Sequence, residues 1–219
     1  RLIIEQDLHA SLDGLFRWFD PVPVAAASIA QVHRAVLPDG REAMVKVQRP
    51  NIDKIIERDI SILRGIAELM ETHVRELHPY NVPGIVDEFA RTINRELDFF
   101  IEGSNAQRLK KNFETSDELL IPEIYGELSS RRVLVMERIE GIRIDDVDEI
   151  ARRGHDRKEI TRKGAAAYFK IVFQDGLFHA DPHPGNIFVL ADGRIGLVDF
   201  GIMGRVTEEN MEYFANVLL

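Results

Sequence analysis

Apolar residues recur along this chain with two different periods, and the alternation between them lays out its elements. Gln31 to Val36 and Glu42 to Gln48 read as strands on either side of the tight turn Leu37-Pro38-Asp39-Gly40. Past Pro50, apolar residues at Ile52, Ile55, Ile56, Ile60, Leu63, Ile66, Ala67 and Met70 follow a helical period, with Asn51 as the expected cap. A second helix is predicted from about Pro83 through Ile85, Val86, Phe89, Ala90, Ile93 and Leu97 to Phe100. Ile121 to Gly126 and Arg132 to Glu137 read as two more strands joined through Ser129-Ser130, the second running into Arg138-Ile139-Glu140-Gly141. Lys158 to Gln174 predicts a largely buried helix that stops at Asp175-Gly176. An apolar hairpin then follows, Ile187 to Leu190, the turn Ala191-Asp192-Gly193, and Ile195 to Val198, and a helical pattern closes the chain toward Leu219.

Two motifs bracket that last hairpin. His179-Ala180-Asp181-Pro182-His183-Pro184-Gly185-Asn186 has the form H-x-D-x-x-x-x-N, and Val198-Asp199-Phe200-Gly201 carries D-F-G. Both are signatures of protein-kinase-like folds that hold magnesium ATP. Asp181 and Asn186 are five apart and Asn186 and Asp199 thirteen apart, so the hairpin returns both metal-binding side chains to one sheet edge. The residue types suit the chemistry. Magnesium takes hard oxygen donors, here the Asp199 carboxylate and the Asn186 amide. Phosphoryl transfer further asks for a carboxylate to orient the nucleophile, a role that falls to Asp181. His179-x-Asp181-x-His183 also admits a transition-metal reading, although no cysteine or third soft ligand accompanies it.

Upstream, Lys46 in Ala43-Met44-Val45-Lys46-Val47 matches the V-A-I-K strand whose lysine holds the α- and β-phosphates; an exposed lysine on a polar strand face is the alternative. Where kinases carry a glycine-rich loop, this chain has Pro23-Val24-Ala25-Ala26-Ala27-Ser28-Ile29-Ala30-Gln31, and alanine approaches a nucleotide less freely than glycine. Late in the second predicted helix stand Glu96, Asp98 and Glu102, with Asp98 and Glu102 on one face and Glu96 pointing elsewhere. A kinase pairs its strand lysine with one helix glutamate, for which Glu57 and Asp59 are further candidates.

On the alanine-rich segment Ala25 to Ala35, the strand Lys46-Val47-Gln48-Arg49-Pro50, the E-x-D motif Glu96-Leu97-Asp98 and the two catalytic motifs, the chain resembles the UbiB/AarF family of atypical kinases from about Phe19 to Met203. The resemblance implies an α/β (α+β), two-lobed protein-kinase-like fold with extra helices in the amino-terminal lobe. The expected lobes are 1–138, with the alanine-rich loop, lysine strand and E-x-D helix, and 139–219, a partial carboxy-terminal lobe. It implies ATP and Mg2+ as cofactors, with Ala25, Ala26, Ala27 and Ser28 over the nucleotide, Glu102 as the partner of Lys46, and Glu96 and Asp98 near the nucleotide and its metals. Met136, Glu137 and Ile139 would line the adenine as a hinge, mainly through their backbone. The family's role implies support of ubiquinone (isoprenoid quinone) biosynthesis through a phosphotransferase or ATPase activity. The expected partners are an isoprenoid or quinone-precursor lipid, a membrane surface and quinone-biosynthesis proteins, and the expected location is the cytoplasmic face of a membrane. A nucleotide-gated scaffold, a protein Ser/Thr kinase and a conventional small-molecule kinase are the competing readings. The family's K-x-G-Q segment is not in this sequence, and the chain is expected to be a piece of a longer protein.

Composition narrows the picture only a little. The 219 residues are 45% hydrophobic, enough for one core or two small lobes. The net charge of −9 argues against nucleic acid as a partner. There is no cysteine, hence no disulfide, and no stretch approaches eighteen consecutive apolar residues.

Overall fold

The computed structural model describes residues 1–114 and 116–206; the helical pattern expected toward Leu219 lies outside the described residues. In chain order the elements are helices α1 (Leu2–Leu8) and α2 (Leu12–Leu15), strands β1 (Trp18–Phe19), β2 (Ala25–Ala26), β3 (Ala30–Val36) and β4 (Glu42–Gln48), and helices α3 (Ile52–His73), α4 (Val82–Glu96) and α5 (Phe99–Asn112). Then come β5 (Leu119–Leu120), β6 (Val133–Glu137), β7 (Ile142–Arg143), α6 (Val147–Arg152), α7 (Arg157–Phe169), β8 (Leu177–His179), β9 (Ile187–Val189), β10 (Ile195–Leu197) and β11 (Met203–Arg205). The chain divides into two compact units, residues 1–101 with 126–135, and 102–125 with 136–219. The cuts fall inside α5 and β6.

The first unit is built on a sheet ordered β1-β3-β4-β6, with β2 paired to β3; β1, β2 and β4 each run antiparallel to β3. β3 and β4 pair along their whole length, from Ala30 opposite Gln48 to Val36 opposite Glu42. The turn between them closes on Gly40 at φ 93°, a left-handed conformation that glycine adopts without a Cβ penalty. Ala30, Ala35, Ala43, Val45, Val133, Leu134 and Val135 are buried, so apart from Leu134 these buried strand positions are small or β-branched. The start of β6 is set by side chains. Ser130 Oγ accepts from the Arg132 and Val133 amides at 3.2 and 3.0 Å and donates to Asp7 Oδ2 at 2.7 Å. Arg132 also pairs with Asp7. Burial pushes the Asp7 carboxyl up, but the hydrogen bonds from Arg132 and Ser130 and the guanidinium charge outweigh it and leave the group below its usual range.

Two expectations for the helices change. Asn51 stands before α3, but in a left-handed conformation (φ 57°) with no capping bond from its side chain; it turns the chain after Pro50 through its backbone. The second helix does not continue to Phe100. It ends at Glu96, Leu97 closes it with an amide bond to Ile93 O, and a new helix starts at Phe99. Asp98 sits in the break, where its carboxylate accepts the Phe100 amide at 3.1 Å, the local bond by which Asp opens a helix.

The second unit holds a sheet ordered β5-β10-β9-β7 and the two-stranded pair β8–β11. The predicted hairpin is present: β9 and β10 pair antiparallel, with Gly193 at φ 78° in the turn. The strand expected over Ile121 to Gly126 is not formed. Leu119–Leu120 instead pairs in parallel with β10, Ile124 makes only an isolated bridge to Met136, and Gly126–Leu128 is a 3-10 turn. Pro122 lacks the amide a ladder needs. α7 is capped by Asp156, whose side chain accepts the Lys158 amide, and continues as a π-turn over Lys170–Gln174. The helix is buried on one stripe only, at Ile160, Ala167 and Ile171, while Tyr168 and Phe169 stand exposed and Ala165 with them. The expectation of a largely buried helix fails because apolar residues here outnumber the positions one face can cover. Ile160, Gly164 and Ile171 line an apolar cavity of about 450 Å³ together with His179, Pro182 and Asn186.

Candidate functional site

In the first unit, the alanine-rich segment is a hairpin. Ala25 pairs with Val32 and Ala26 with Gln31, and the Ala27 amide donates to Ala30 O at 2.9 Å across the turn. Arg49 fastens the turn from β4's end, its Nε donating to Ala27 O at 3.0 Å and its amide to Ile29 O at 2.9 Å. Residues 24–28 are exposed and none has a positive φ, so alanine builds this loop without the left-handed residues that glycine would permit.

Lys46 lies in mid-strand opposite Val32 and is half-buried, its Nζ 5.4 Å from the centroid of the Phe99 ring, within cation–π range. Its face of β4 is not a solvated one. Gln48, two residues on, is buried and donates through Nε2 to Leu97 O at 2.6 Å, tying β4 to the break between α4 and α5. Sequence reasoning took Gln48 only as part of the lysine strand; a buried amide two positions from the lysine is the signal it could have used. Glu96 is half-buried at the end of α4, and Asp98, in the break, faces Arg131 Nε at 3.8 Å. Because the helix breaks at Leu97, Glu96 and Asp98 do not share one helix with Glu102. Among the other glutamate and aspartate candidates for Lys46, Glu57 is exposed on α3 and Asp59 pairs with Arg58.

In the second unit, Glu102 lies in the first turn of α5 and is only 3% exposed. A single continuous helix would have pointed it away from the apolar stripe; restarting the helix at Phe99 turns it inward. Its carboxylate lies beside the D-F-G glycine, with Oε2 3.9 Å from where a Cβ on Gly201 would stand. One helical turn later, Asn105 Nδ2 donates to Phe200 O at 2.9 Å.

Side chains hold three backbone atoms of the D-F-G segment, the Asp199 and Phe200 carbonyls and the Gly201 amide. The Val198 amide donates to Asn186 O at 2.9 Å, which brings the segment against the end of the catalytic loop. His179 Nε2 donates to Asp199 O at 2.6 Å while its Nδ1 accepts the Asp181 amide at 3.3 Å, an arrangement that fixes the neutral Nε2–H tautomer. Asp199 is half-buried with φ 81°, and its Oδ1 accepts the Gly201 amide at 3.1 Å. Phe200 is buried (1% exposed) with its ring 6.1 Å from that of His179. Beyond it, β11 returns along β8, where a Cβ on Gly204 would run into the Phe178 ring. Asp181 is exposed at the start of the catalytic loop, and Asn186 is half-buried in the short turn Pro184–Asn186 that His183 caps by accepting the Gly185 amide.

His179 spends both ring nitrogens on the backbone, and no group of three or more His, Cys, Asp or Glu is placed to hold a metal among the described residues. The transition-metal reading is therefore dropped. Asp199 and Asn186 offer one carboxylate and one amide oxygen, joined through the Val198–Asn186 bond; that donor set fits magnesium, which needs only one or two protein carboxylates beside phosphate and water. At the expected hinge, Met136 is buried, and the Ile139 side chain packs on Gly196, whose Cβ would stand 2.9 Å from Ile139 Cγ2. The Glu137 amide donates to Glu123 O at 2.8 Å, so this particular backbone donor is engaged within the protein rather than open to a base.

The model of the ABC1 atypical kinase-like domain matches residues 1–219. The chain is similar to a probable protein kinase UbiB of Aliivibrio fischeri, 43% identical over 99% of this chain and 41% of the relative. It is likewise similar to one of Marinobacter nauticus, 43% identical over 100% of this chain and 41% of the relative. It thus spans about two-fifths of the length of these curated relatives. Among solved structures, Rv3197 from Mycobacterium tuberculosis in complex with erythromycin superposes with a TM-score of 0.74 at 31% identity, over 94% of this chain and 51% of that one. The Rio2 kinase of Chaetomium thermophilum, in an ADP/Mg2+-phosphoaspartate complex, shares the fold with a TM-score of 0.50 at 13% identity, over 92% of this chain and 53% of its own. With an α+β kinase-like fold and a family match along its whole length, the chain belongs to the UbiB/AarF family of ABC1 atypical kinase-like domains.

Proposed function

We propose that this domain binds magnesium ATP and works as an ATPase or phosphotransferase that supports isoprenoid quinone biosynthesis at a membrane surface. The observation that carries the reading is the D-F-G segment, where a non-glycine residue with φ 81° has its carbonyl fixed by His179 and follows directly on Val198, whose amide is bound to Asn186 O. Strained backbone of this kind persists where the surroundings over-determine it, which is typical of functional positions. The Rio2 kinase that shares the fold carries ADP and Mg2+, which supports the nucleotide and metal assignment.

In this reading each residue has one task. Lys46 holds phosphate oxygens, and Glu102 orders Lys46. Ala25 to Ser28 cover the nucleotide with exposed backbone, while Glu96 and Asp98 stand near its metals. Asp199 and Asn186 hold magnesium, which when bound would neutralise charge on the phosphates. Asp181 orients the acceptor and receives its proton; its exposed position leaves room for water, a lipid or another small molecule to approach. Quinone-biosynthesis proteins are the natural partners of such an activity, and the cytoplasmic face of a membrane its location. No helix among the described residues is long and apolar enough to cross a membrane, so attachment would be peripheral or through other parts of the protein.

The test is ATP consumption by the full-length protein with magnesium, with and without anionic vesicles carrying a quinone-precursor lipid, wild type against Asp181→Asn. Lipid-stimulated turnover that Asp181→Asn abolishes supports the proposal. Tight nucleotide binding without turnover under every condition would instead favour a nucleotide-gated scaffold.

A further inference from the structure

We propose that Asn105 is a positioning residue: its side-chain amide on α5 fixes the Phe200 carbonyl and thereby holds the Asp199 carboxylate in the orientation that receives magnesium. The inference rests on the magnesium-nucleotide reading above and goes beyond the motifs that led to it, since Asn105 belongs to none of them.

The argument starts from the backbone. Asp199 occupies a conformation that L-residues with a Cβ rarely adopt, φ 81°, and such a residue relaxes unless its flanking peptide groups are held. Two side chains hold the backbone that follows Asp199. His179 Nε2 takes the carbonyl of Asp199 at 2.6 Å, and Asn105 Nδ2 takes the next carbonyl, that of Phe200, at 2.9 Å. The two anchors belong to different elements, β8 and α5, and hold successive peptide groups: His179 holds the Asp199–Phe200 group and Asn105 the Phe200–Gly201 group, each through its carbonyl. The N–H of the Phe200–Gly201 group donates to Asp199 Oδ1 at 3.1 Å, so rotation of the group that Asn105 holds is the motion that would release the Asp199 carboxylate.

α5 is suited to this duty because its own position is fixed. Glu102, one turn before Asn105, is buried with its carboxylate beside Gly201, so the same helix face meets D-F-G twice. At the far end of the helix, Lys170 Nζ donates to Asn112 O at 2.9 Å, stands 4.3 Å from the Phe113 ring centroid and pairs with Asp175 at 3.0 Å. Lys170 opens the π-turn that leads into β8 and His179. Lys170 thus ties the far end of α5 to the turn that leads to His179, and the Phe200 side chain is itself buried.

The experiment uses the full-length protein as wild type, Asn105→Ala and Asn105→Asp. The aspartate keeps the size of the side chain, removes the donor and so guards against a variant that fails merely because it leaves a cavity. Hydrogen exchange of the segment spanning Val198 to Met203 is measured without nucleotide, and ADP binding is measured across a magnesium titration and in chelator. Both variants are expected to speed exchange in that segment and to raise the magnesium half-saturation by about five-fold, the size of one partly buried hydrogen bond, with ADP affinity in chelator unchanged. Unchanged exchange in both variants would overturn the anchor. Faster exchange with an unchanged magnesium half-saturation would leave a structural bond that positions nothing, and overturn the proposal equally. If wild-type ADP binding shows no dependence on magnesium, the magnesium reading falls and the positioning role falls with it, whereas the exchange result separates that failure from a failure of the anchor.

Discussion

The alanine-rich hairpin and the D-F-G segment are both assigned to the nucleotide, and they are built in opposite ways. The hairpin is exposed over residues 24–28, has ordinary negative φ throughout, and is secured by strand pairing and one arginine. The D-F-G segment has a positive φ at Asp199, a buried phenylalanine and a side-chain anchor on each of two successive carbonyls. The difference follows from the chemistry each would serve. A metal demands oxygen donors at fixed places, so that segment stores strain and is over-determined. A phosphate cover needs only backbone amides that can settle onto a charged surface, and a shallow hairpin supplies those.

Three substitutions would sharpen or break this contrast. The largest effect is expected from Asp199→Asn, which removes the only carboxylate of the proposed magnesium pair; magnesium-dependent ADP affinity should fall by on the order of 100-fold or more, at least the ~10–100-fold typical of losing an outer-shell partner. Calorimetry that shows unchanged affinity removes Asp199 from the site. Lys46→Ala should weaken ATP binding or turnover roughly 10- to 100-fold, as expected for a charge-assisted contact to phosphate. Normal values for both would remove Lys46 from its role. Ala26→Gly acts on the flexible side of the comparison: it loosens the hairpin through the unbound state, and nucleotide affinity should shift by only about two- to five-fold. An effect as large as that of Asp199→Asn would mean the hairpin is as over-determined as D-F-G.

The smallest effect concerns stability alone and lies away from the nucleotide. Asp7 is held below the usual carboxyl range by Arg132 and Ser130 against the cost of its burial, so its contribution is full above about pH 4 and is lost as pH falls through its lowered folded value. Asp7→Asn should therefore cost about 1 kcal/mol near neutral pH, a figure discounted for the exposure of the Arg132 guanidinium, and progressively less in acid. Urea unfolding at pH 7 and pH 3 checks this; an equal cost at both would mean that the charge of Asp7 is immaterial.

The sequence was most readable where a local rule decides the structure. β3 and β4, the turn at Gly40 and the β9–β10 hairpin all follow from alternation and turn residues. Legibility failed where a continuous pattern hides a discontinuity. Apolar spacing runs on through Leu97 into Phe100, so nothing in the period betrays the break at Asp98, and that break is what buries Glu102. The strand expected over Ile121 to Gly126 failed for the opposite reason, since Pro122 was a visible signal against it. Asn105 carries no motif at all. Its place one turn after Glu102 was the available hint, but its use depends on a segment 95 residues away. The family resemblance supplied the roles of Glu96, Asp98 and Glu102, which periodicity alone would have left on a solvated face.

The most direct test of the account is a magnesium titration of ATP binding to the full-length protein. The account predicts that affinity rises with magnesium and saturates, and that the rise disappears in Asp199→Asn. Equal affinity in magnesium and in chelator, for wild type and variant alike, would contradict it.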